Sequence, residues 1–515
     1  MLAKIHSATV EGVNGILVEV EVDIAFGLPT FATVGLPEAA VRESKDRVKA
    51  AIKNSGYEFP AHRITVNLAP ADLRKAGTGY DLPIALGIVA AAGLVPELRL
   101  TSHLALGELS LDGRIRPVPG VLPIVMAARR QGLRGALVPA ENAREAAVVQ
   151  GIEVIPVSTL HQAVEFLAGI TDITPAQVDL ENFFQTTVRH EADLAEVKGQ
   201  AHAKRALEIA AAGGHNLLFE GPPGSGKTMM ARRLPSILPD LTLNEALETT
   251  GVYSVAGLMG KDEAIVIQRP FRAPHHTISD AGLIGGGQIP RPGEVSLAHN
   301  GILFLDELAE FKKNILEGLR QPLEDGVVTI SRAASSLSFP ARFILVAASN
   351  PCPCGFLGDS RHDCQCSPTQ IQRYRGRISG PLLDRIDMYV EVAAVPFADL
   401  AATDDDGETS ATVKARVVKA REIQRRRFAE LPQVHANSQM PPRMVKRFCA
   451  LDQDSERLLE RAVTRLGLSA RAFRRIQKIA RTIADLAGAP HIQTAHIAEA
   501  IQYRRLDRKS DAGPF

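Results

Sequence analysis

The chain lacks any apolar stretch of the roughly 18–20 residues needed to cross a bilayer, so a membrane-spanning protein is not expected. Its start, Met1-Leu-Ala-Lys-Ile-His6, alternates like a strand and has neither the apolar core nor the cleavage site of a secretory signal. Cysteine is scarce. Five occur in 515 residues, and four of them fall between Cys352 and Cys366. That bunching argues against a secreted disulfide framework and for a reducing cytosol. Net charge is nearly absent at +1, so bulk electrostatics says nothing about a nucleic-acid partner. Distribution says more, because Arg and Lys are dense from Lys414 to Lys509. No internal repeat and no long low-complexity tract is present.

What is there is an ordinary soluble composition, 45% hydrophobic and 23% charged, in a chain long enough for about three domains. Residues 1–168 mix β-rich runs (Ile16–Val22, Arg63–Leu68, Gly135–Val138, Ile152–Pro156) with helical ones (Glu38–Ser55, Asp81–Ala92). Polar residues 169–195 read as a linker. From Glu196 to about residue 400, apolar strands alternate with helices, the α/β pattern of a parallel nucleotide-binding sheet. The acidic break Thr403–Ser410 reads as a solvated linker, and residues 411–515 as a basic, helix-rich domain interrupted at Pro432–Pro442.

One motif fixes the chemistry. Gly221, Pro222, Pro223, Gly224, Ser225, Gly226, Lys227 and Thr228 form a complete phosphate-binding loop between an apolar strand, Asn216–Glu220, and a helix-forming stretch at Met229–Leu234. Its glycines let successive N–H groups face the phosphates, and the helix N-terminus adds a positive dipole. Lys227 reaches the β/γ-phosphates, and the Thr228 hydroxyl ligates Mg²⁺. ATP or GTP is the expected ligand. Further on, Gly301-Ile-Leu-Phe-Leu-Asp306-Glu307 describes a buried strand delivering two acids to the sheet edge where ligands bind. Asp306 can hold Mg²⁺ and Glu307 can activate water as general base. A third strand, Phe343–Asn350, ends in a side chain able to meet the γ-phosphate or the attacking water, or else to cap a turn before Pro351. Arg385, in Ser379-Gly-Pro-Leu-Leu-Asp-Arg-Ile-Asp387, is either a stabiliser of transition-state charge or a solvated cation.

Together these motifs, with Val197-Lys-Gly-Gln200, Arg269–Thr277, Gly285-Gly-Gly287, Pro292–Glu307, Ser349–Gly355 and Gly380–Asp387, make the chain resemble the magnesium-chelatase-like AAA+ ATPases of the YifB/ComM family over nearly its whole length. The resemblance implies a ring, usually a hexamer, with ATP held between subunits. Asn350 then looks like sensor 1 and Arg385 like the finger offered to the neighbour's nucleotide. Arg471, in Leu468–Arg475, looks like the sensor 2 arginine of a helical lid, a role that Arg474 or Arg475 could also fill.

The four clustered cysteines, Cys352-Pro-Cys354 and Cys364-Gln-Cys366, can close a tetrahedral Cys₄ zinc site, with His362 as a possible substitute ligand. A redox pair or metal-free thiols are the rival readings, and Cys449 stands apart as an ordinary buried residue. The N-terminal region is similar to the proteolytic domain of Lon proteases at Lys75–Asp81, Gly107–Arg114 and Val138–Asn142. That chemistry needs a serine nucleophile and a lysine to activate it. Gly79 stands at the serine position and Leu122 at the lysine position. A non-proteolytic scaffold is therefore expected, with Lys75 a surface charge. The fold expected is an α/β AAA+ P-loop core with a helical lid, preceded by a Lon-protease-like α+β domain.

Three functions compete. The first is a DNA motor, the resemblance implying a hexameric helicase that drives branch migration as incoming single-stranded DNA recombines during natural transformation. Candidate DNA contacts are Arg272–Asp280, with His275 and His276, and the hairpin-like Val327–Arg332 and Leu337–Pro340. A packed turn for the histidines and a solvated charge for Arg332 are the plain alternatives. The second is a chelatase-like motor acting on a protein or metal-insertion partner, and the third, an ATP-dependent protease, lacks its dyad.

Overall fold

The computed structural model describes residues 1–75, 77–180, 183, 192–287, 290–332, 335–359, 362–395, 407–431 and 434–504. Residues 181–182 and 184–191 of the polar stretch, residues 403–406 of the acidic break, residues 432–433 of the proline-bounded interruption and Lys509 lie outside them. So does the side chain of Arg332.

Alternating apolar residues build the first sheet. Strands β1 (Leu2–Glu11) and β2 (Asn14–Ala25) pair antiparallel, and Val18, Val20 and Val22 turn fully inward. With β3 (Thr30–Val34), β4 (Arg63–Ala69), β5 (His103–Ala105), β6 (Gly135–Pro139) and β7 (Glu153–Val157) they form a mixed sheet of order β3-β4-β2-β1-β5-β6-β7. Helix α1 (Ala39–Asn54) lies over α2 (Asp81–Ala91). Every residue of α2 but Ala90 is buried, which explains why its sequence is apolar on all sides. One charge is buried with it. The Asp81 carboxylate accepts two bonds from Arg47, at 2.7 Å from Nε and 3.0 Å from Nη2, and a third from the Leu109 N–H at 3.2 Å. Removing the guanidinium leaves that carboxylate without its counter-ion. Arg47→Ala is therefore expected to lower stability by about 3–5 kcal/mol in urea denaturation; a loss under about 1 kcal/mol would show that water reaches Asp81.

Of the two positions that the Lon resemblance gives to the proteolytic dyad, only that of Leu122 is filled by packing, while Gly79 is half-buried with room for a Cβ. Leu122 is fully buried, and a Cβ at Gly79 would meet Val118 Cγ1 at 4.0 Å. Lys75 corrects an expectation: it is fully buried rather than a surface charge. Its backbone bridges Pro37 and its ammonium donates to the Pro70 carbonyl, and burial pushes its pKa down.

The chain then enters α4 (Ala201–Gly213) and a second, wholly parallel sheet. Its strands are β8 (Leu217–Glu220), β9 (Phe271–Arg272), β10 (Ile302–Leu305), β13 (Ile344–Ser349) and β14 (Met388–Glu391), in the order β9-β10-β13-β8-β14. Strands β11 (Val327–Arg332) and β12 (Ser335–Pro340) form a separate hairpin, fed by helix α7 (Arg320–Asp325). The central strands are apolar throughout because helices cover both faces. Strand β13 is last but one in sequence yet lies between β8 and β10, with Glu220 opposite Ser349 and Leu305 opposite Ala347. The C-terminal ends of three strands thus meet at one edge, where the phosphate-binding loop, Asp306-Glu307 and Asn350 emerge. Between α7 and the lid, α8 (Pro368–Arg375) opens with a capping box built by Ser367 and Gln370.

Helices α9 (Ser410–Arg427) and α10 (Ala470–Leu486) pack on α4 and share its hydrophobic core. Gln424 Nε2 donates to the Ala212 carbonyl at 2.9 Å, and Thr482 lies 2.8 Å from His215 Nε2. Cys449 is buried in this core, as its isolation in sequence suggests. The N-terminal domain docks differently. Its α3 (Val121–Arg130) packs on α6 (Leu243–Ala256), and one apolar cluster unites Ala8, Val121, Leu122 and Val125 with Leu241, Ala246, Ala264 and Ile265. The Gly120 N–H donates to the Ser254 carbonyl at 2.9 Å, and the Leu122 N–H to its hydroxyl at 3.4 Å.

Candidate nucleotide-binding site

The loop after β8 must turn sharply before α5 (Lys227–Ala231). Gly224 and Gly226 carry φ of +74° and +90°, a region costly for any residue with a Cβ, and a side chain at either would point into open space. Gly221 serves another purpose, since a Cβ there would lie 2.2 Å from the Val392 carbonyl. Lys227 folds back over the loop and donates to the carbonyls of Gly221 (2.7 Å) and Pro222 (2.9 Å) and to Asn350 Oδ1 (3.2 Å). Burial lowers its pKa, while Asp306, Glu220 and Glu307 act in the opposite sense. Thr228 Oγ1 donates to Asp306 Oδ2 at 2.6 Å, and Ser225 Oγ is buried without a partner. A hydroxyl and a carboxylate are thus already paired where a magnesium ion would be held, beside an ammonium positioned for phosphate. The residues fit Mg²⁺ and a nucleoside triphosphate.

Glu307 sits in the left-handed region, φ +51°, with its N–H bonded to Asp306 Oδ1 at 3.0 Å. That turn aims the two acids apart, and the Glu307 side chain stays about half exposed. His276 Nδ1 is 3.5 Å from Glu307 Oε2, and its ring lies 4.1 Å from that of His275. The histidine pair of the Arg272–Asp280 segment thus lies beside the acid pair, with His276 the member that faces Glu307. Arg272 is committed elsewhere, in a two-pronged bond to Glu294 at 2.6 and 2.7 Å.

Arg385 and Arg471 come together in a different place. Both belong to the lining of a cavity of about 180 Å³ with Arg474, Arg475 and Lys478, a lining that contains no residue of the phosphate loop. Arg385 is nearly buried and bonds Glu324 Oε2 at 2.6 Å and the Pro381 carbonyl at 2.7 Å, leaving its Nε without a partner. Arg471 is exposed, and its Nη2 lies 3.8 Å from the other oxygen of Glu324. Arg475 is drawn aside to Asp387 at 3.3 Å. Although burial opposes it, the charge of Arg475 with the hydrogen bond from His215 holds the Asp387 carboxyl well below the usual carboxylate range.

A larger cavity, about 590 Å³, is lined by Val197, Lys198, Gly199, Gln200, Lys204 and their neighbours. Gln200 Nε2 donates to the Ala393 carbonyl, one residue from the Val392 carbonyl that crowds Gly221. The cavity therefore adjoins the phosphate loop. Sequence reading noticed Val197–Gln200 but assigned it no role, and it missed Glu324 altogether.

Cys352, Cys354, Cys364 and Cys366 bring their four sulfurs within 4.8 Å of one another. Individual Sγ···Sγ distances are 3.3 Å for Cys352–Cys354 and 3.6 Å for both Cys352–Cys364 and Cys354–Cys364. Such a set is compatible with zinc. His362 stacks near Phe356, with ring centroids 4.8 Å apart, and is exposed.

Comparison with known proteins gives the family. The family described as "Magnesium chelatase, subunit ChlI" matches residues 193–400, "Subunit ChlI of Mg-chelatase" residues 20–142, and "Magnesium chelatase, subunit ChlI C-terminal" residues 407–504. The chain is 46% identical to "Competence protein ComM" of Haemophilus influenzae, with 98% of each chain covered. It belongs to the YifB/ComM family of magnesium-chelatase-like AAA+ ATPases. A YifB protein of Escherichia coli is 44% identical, again with 98% of each covered. Lon protease 2 of Bacillus subtilis is 26% identical over 181 residues, 31% of this chain and 32% of that one. In this chain an AAA+ core with a helical lid follows a Lon-like domain, and the family implies ATPase activity, with ATP and Mg²⁺ as ligands, and oligomerisation. No helix among the described residues is long and apolar enough to cross a membrane.

Proposed function

We propose that this chain is one subunit of a ring motor, a hexamer in the usual AAA+ manner, that hydrolyses ATP to drive branch migration of DNA during recombination of incoming strands. One observation carries the ring. The phosphate site gathers Lys227, Thr228, Asp306, Glu307 and Asn350, whereas the arginines suited to transition-state charge gather around Glu324, in a cavity that the phosphate loop does not line. A site divided in this way is completed by a neighbour, with Arg385 as its finger and Arg471 beside it, both acting on the next subunit's nucleotide. Bound Mg²⁺ supplies charge neutralisation across the phosphates. Thr228 and Asp306 hold it, Lys227 exchanges its loop carbonyls for phosphate oxygens, and Asn350 orients the γ-phosphate or water. Glu307 takes the proton. The nucleotide base occupies the cavity beside Val197–Gln200, and zinc fills the Cys₄ set.

The DNA reading draws on the relative named a competence protein, together with the β11–β12 hairpin. That hairpin projects hydroxyls from Thr329, Ser331, Ser336 and Ser338 and leads toward Arg332. A chelatase-like role has weaker support, since a chloroplast magnesium-chelatase subunit of Arabidopsis thaliana is 24% identical over only 36% of this chain. Purified protein with ATP, offered three- and four-way DNA junctions beside plain duplex, is expected to exchange strands on the junctions and to hydrolyse ATP faster with them. Unchanged hydrolysis together with unprocessed junctions would turn the proposal toward remodelling of a protein partner.

A further inference from the structure

The segment from Cys352 to Cys366 leaves the end of β13, loops back and enters α8. It has almost no core of its own. Among its described residues only Cys352 and Gly355 are buried, so apolar packing does not explain its shape. Four converging sulfurs do. Zinc bound to thiolates at about 2.3 Å in a tetrahedron sets sulfurs about 3.8 Å apart, close to the 3.3–3.6 Å separations among Cys352, Cys354 and Cys364. The Cys354 N–H donates to Cys366 Sγ at 3.4 Å, the kind of outer contact that steadies a metal thiolate.

The segment also touches the nucleotide site at a defined point. A Cβ at Gly355 would stand 2.6 Å from Pro223 Cδ and 2.8 Å from its Cγ, and 3.9 Å from Asn350 Cγ. Backbone and proline ring therefore meet with no room between them. Arg375, at the end of α8, bonds the Pro351 carbonyl at 3.2 Å and Glu220 at 3.3 Å. The two ends of the Cys segment are thereby tied to the strand that delivers the phosphate loop.

We propose that zinc on Cys352, Cys354, Cys364 and Cys366 fixes the outer wall of the phosphate-binding loop through Gly355 and Pro223, so that metal occupancy governs nucleotide affinity although no cysteine meets the nucleotide. This rests on the Cys₄ zinc reading and extends it to regulation of the ATP site. Pro223 has a locked φ, so a displacement of Gly355 passes into the loop instead of being absorbed by a flexible side chain.

Full-length protein is purified without chelator and its zinc counted. A zinc-selective chelator then removes the metal in the presence of millimolar Mg²⁺ and reductant, and affinity for a fluorescent, slowly hydrolysed ATP analogue is measured by anisotropy. About one zinc per chain is expected, with at least a ten-fold loss of affinity on removal and recovery when zinc is returned. Absence of zinc from the purified protein would overturn the metal reading and this inference with it. Zinc removed with affinity unchanged would overturn the coupling alone. The Gly355→Ala variant separates the wall from general unfolding. It keeps all four ligands, and although the φ of +85° at Gly355 makes an alanine there lower the melting temperature, well below that temperature it is expected to hold one zinc while binding the analogue at least several-fold more weakly. Full zinc with native affinity in that variant would refute the Gly355–Pro223 contact as the route.

Discussion

Glu307→Gln is expected to bind ATP with near-native affinity and to turn it over about 10²–10⁴-fold more slowly, the usual loss when a general base is removed. Three features single out this carboxylate from its neighbour. Asp306 is engaged by the Thr228 hydroxyl at 2.6 Å, which commits it to the metal side of the site. Glu307 is turned away by a left-handed backbone, remains about half exposed and touches only His276 at 3.5 Å among the described ion pairs. It is the acid free to accept a proton. The substitution keeps size and hydrogen-bonding capacity while removing basicity, so binding and chemistry separate cleanly. Equilibrium binding of ATP beside single-turnover hydrolysis checks this, with Lys227→Ala as the variant that loses binding itself. Wild-type turnover in the Gln protein would assign the base elsewhere.

Arg385→Ala is expected to leave the nucleotide affinity of isolated subunits intact and to lower hydrolysis by about 10³-fold or more, the magnitude seen when a finger arginine is lost. Here Arg385 does not lie free. Glu324 holds it at 2.6 Å and shares its second oxygen with Arg471, so a phosphate arriving from a neighbour replaces one anion by another. With Arg385 serving an adjoining subunit, as proposed, mixing has a particular outcome. Arg385→Ala subunits, each with an intact phosphate loop, regain hydrolysis when combined with Lys227→Ala subunits, which cannot bind ATP but still carry the arginine. Neither protein alone is active. Mixtures as inert as their components would mean that Arg385 works within its own chain or only structurally.

Much of the fold was legible because its signals are local. The run Arg63–Leu68 became Arg63–Ala69, Glu38–Ser55 became Ala39–Asn54, and Asp81–Ala92 became Asp81–Ala91, since alternation and helical period report directly on burial. The phosphate loop and the acid pair were legible for the same reason: each is a short motif on one strand end. What escaped depends on contacts distant in sequence. Lys75 reads as polar, yet a bridge to Pro37 carries it inside. The His275-His276 pair gives no sign that the fold sets it against Glu307. Glu324 is one acid among many until the chain returns with Arg385 and Arg471. Nor does any pattern in Cys352–Cys366 announce that Gly355 abuts Pro223.

The cluster joining Val121, Leu122 and Val125 to Leu241, Ala246 and Ile265 limits how this protein can be cut. A fragment starting near residue 193 would keep every nucleotide-binding side chain but expose an oily face along α6, with the Ser254 groups that served Gly120 and Leu122 turned to solvent. Exposed patches of that sort promote aggregation. The ATPase is therefore not a portable module. Leu122, which the Lon resemblance sets at the place of a catalytic lysine, serves instead as glue between the front domain and the motor.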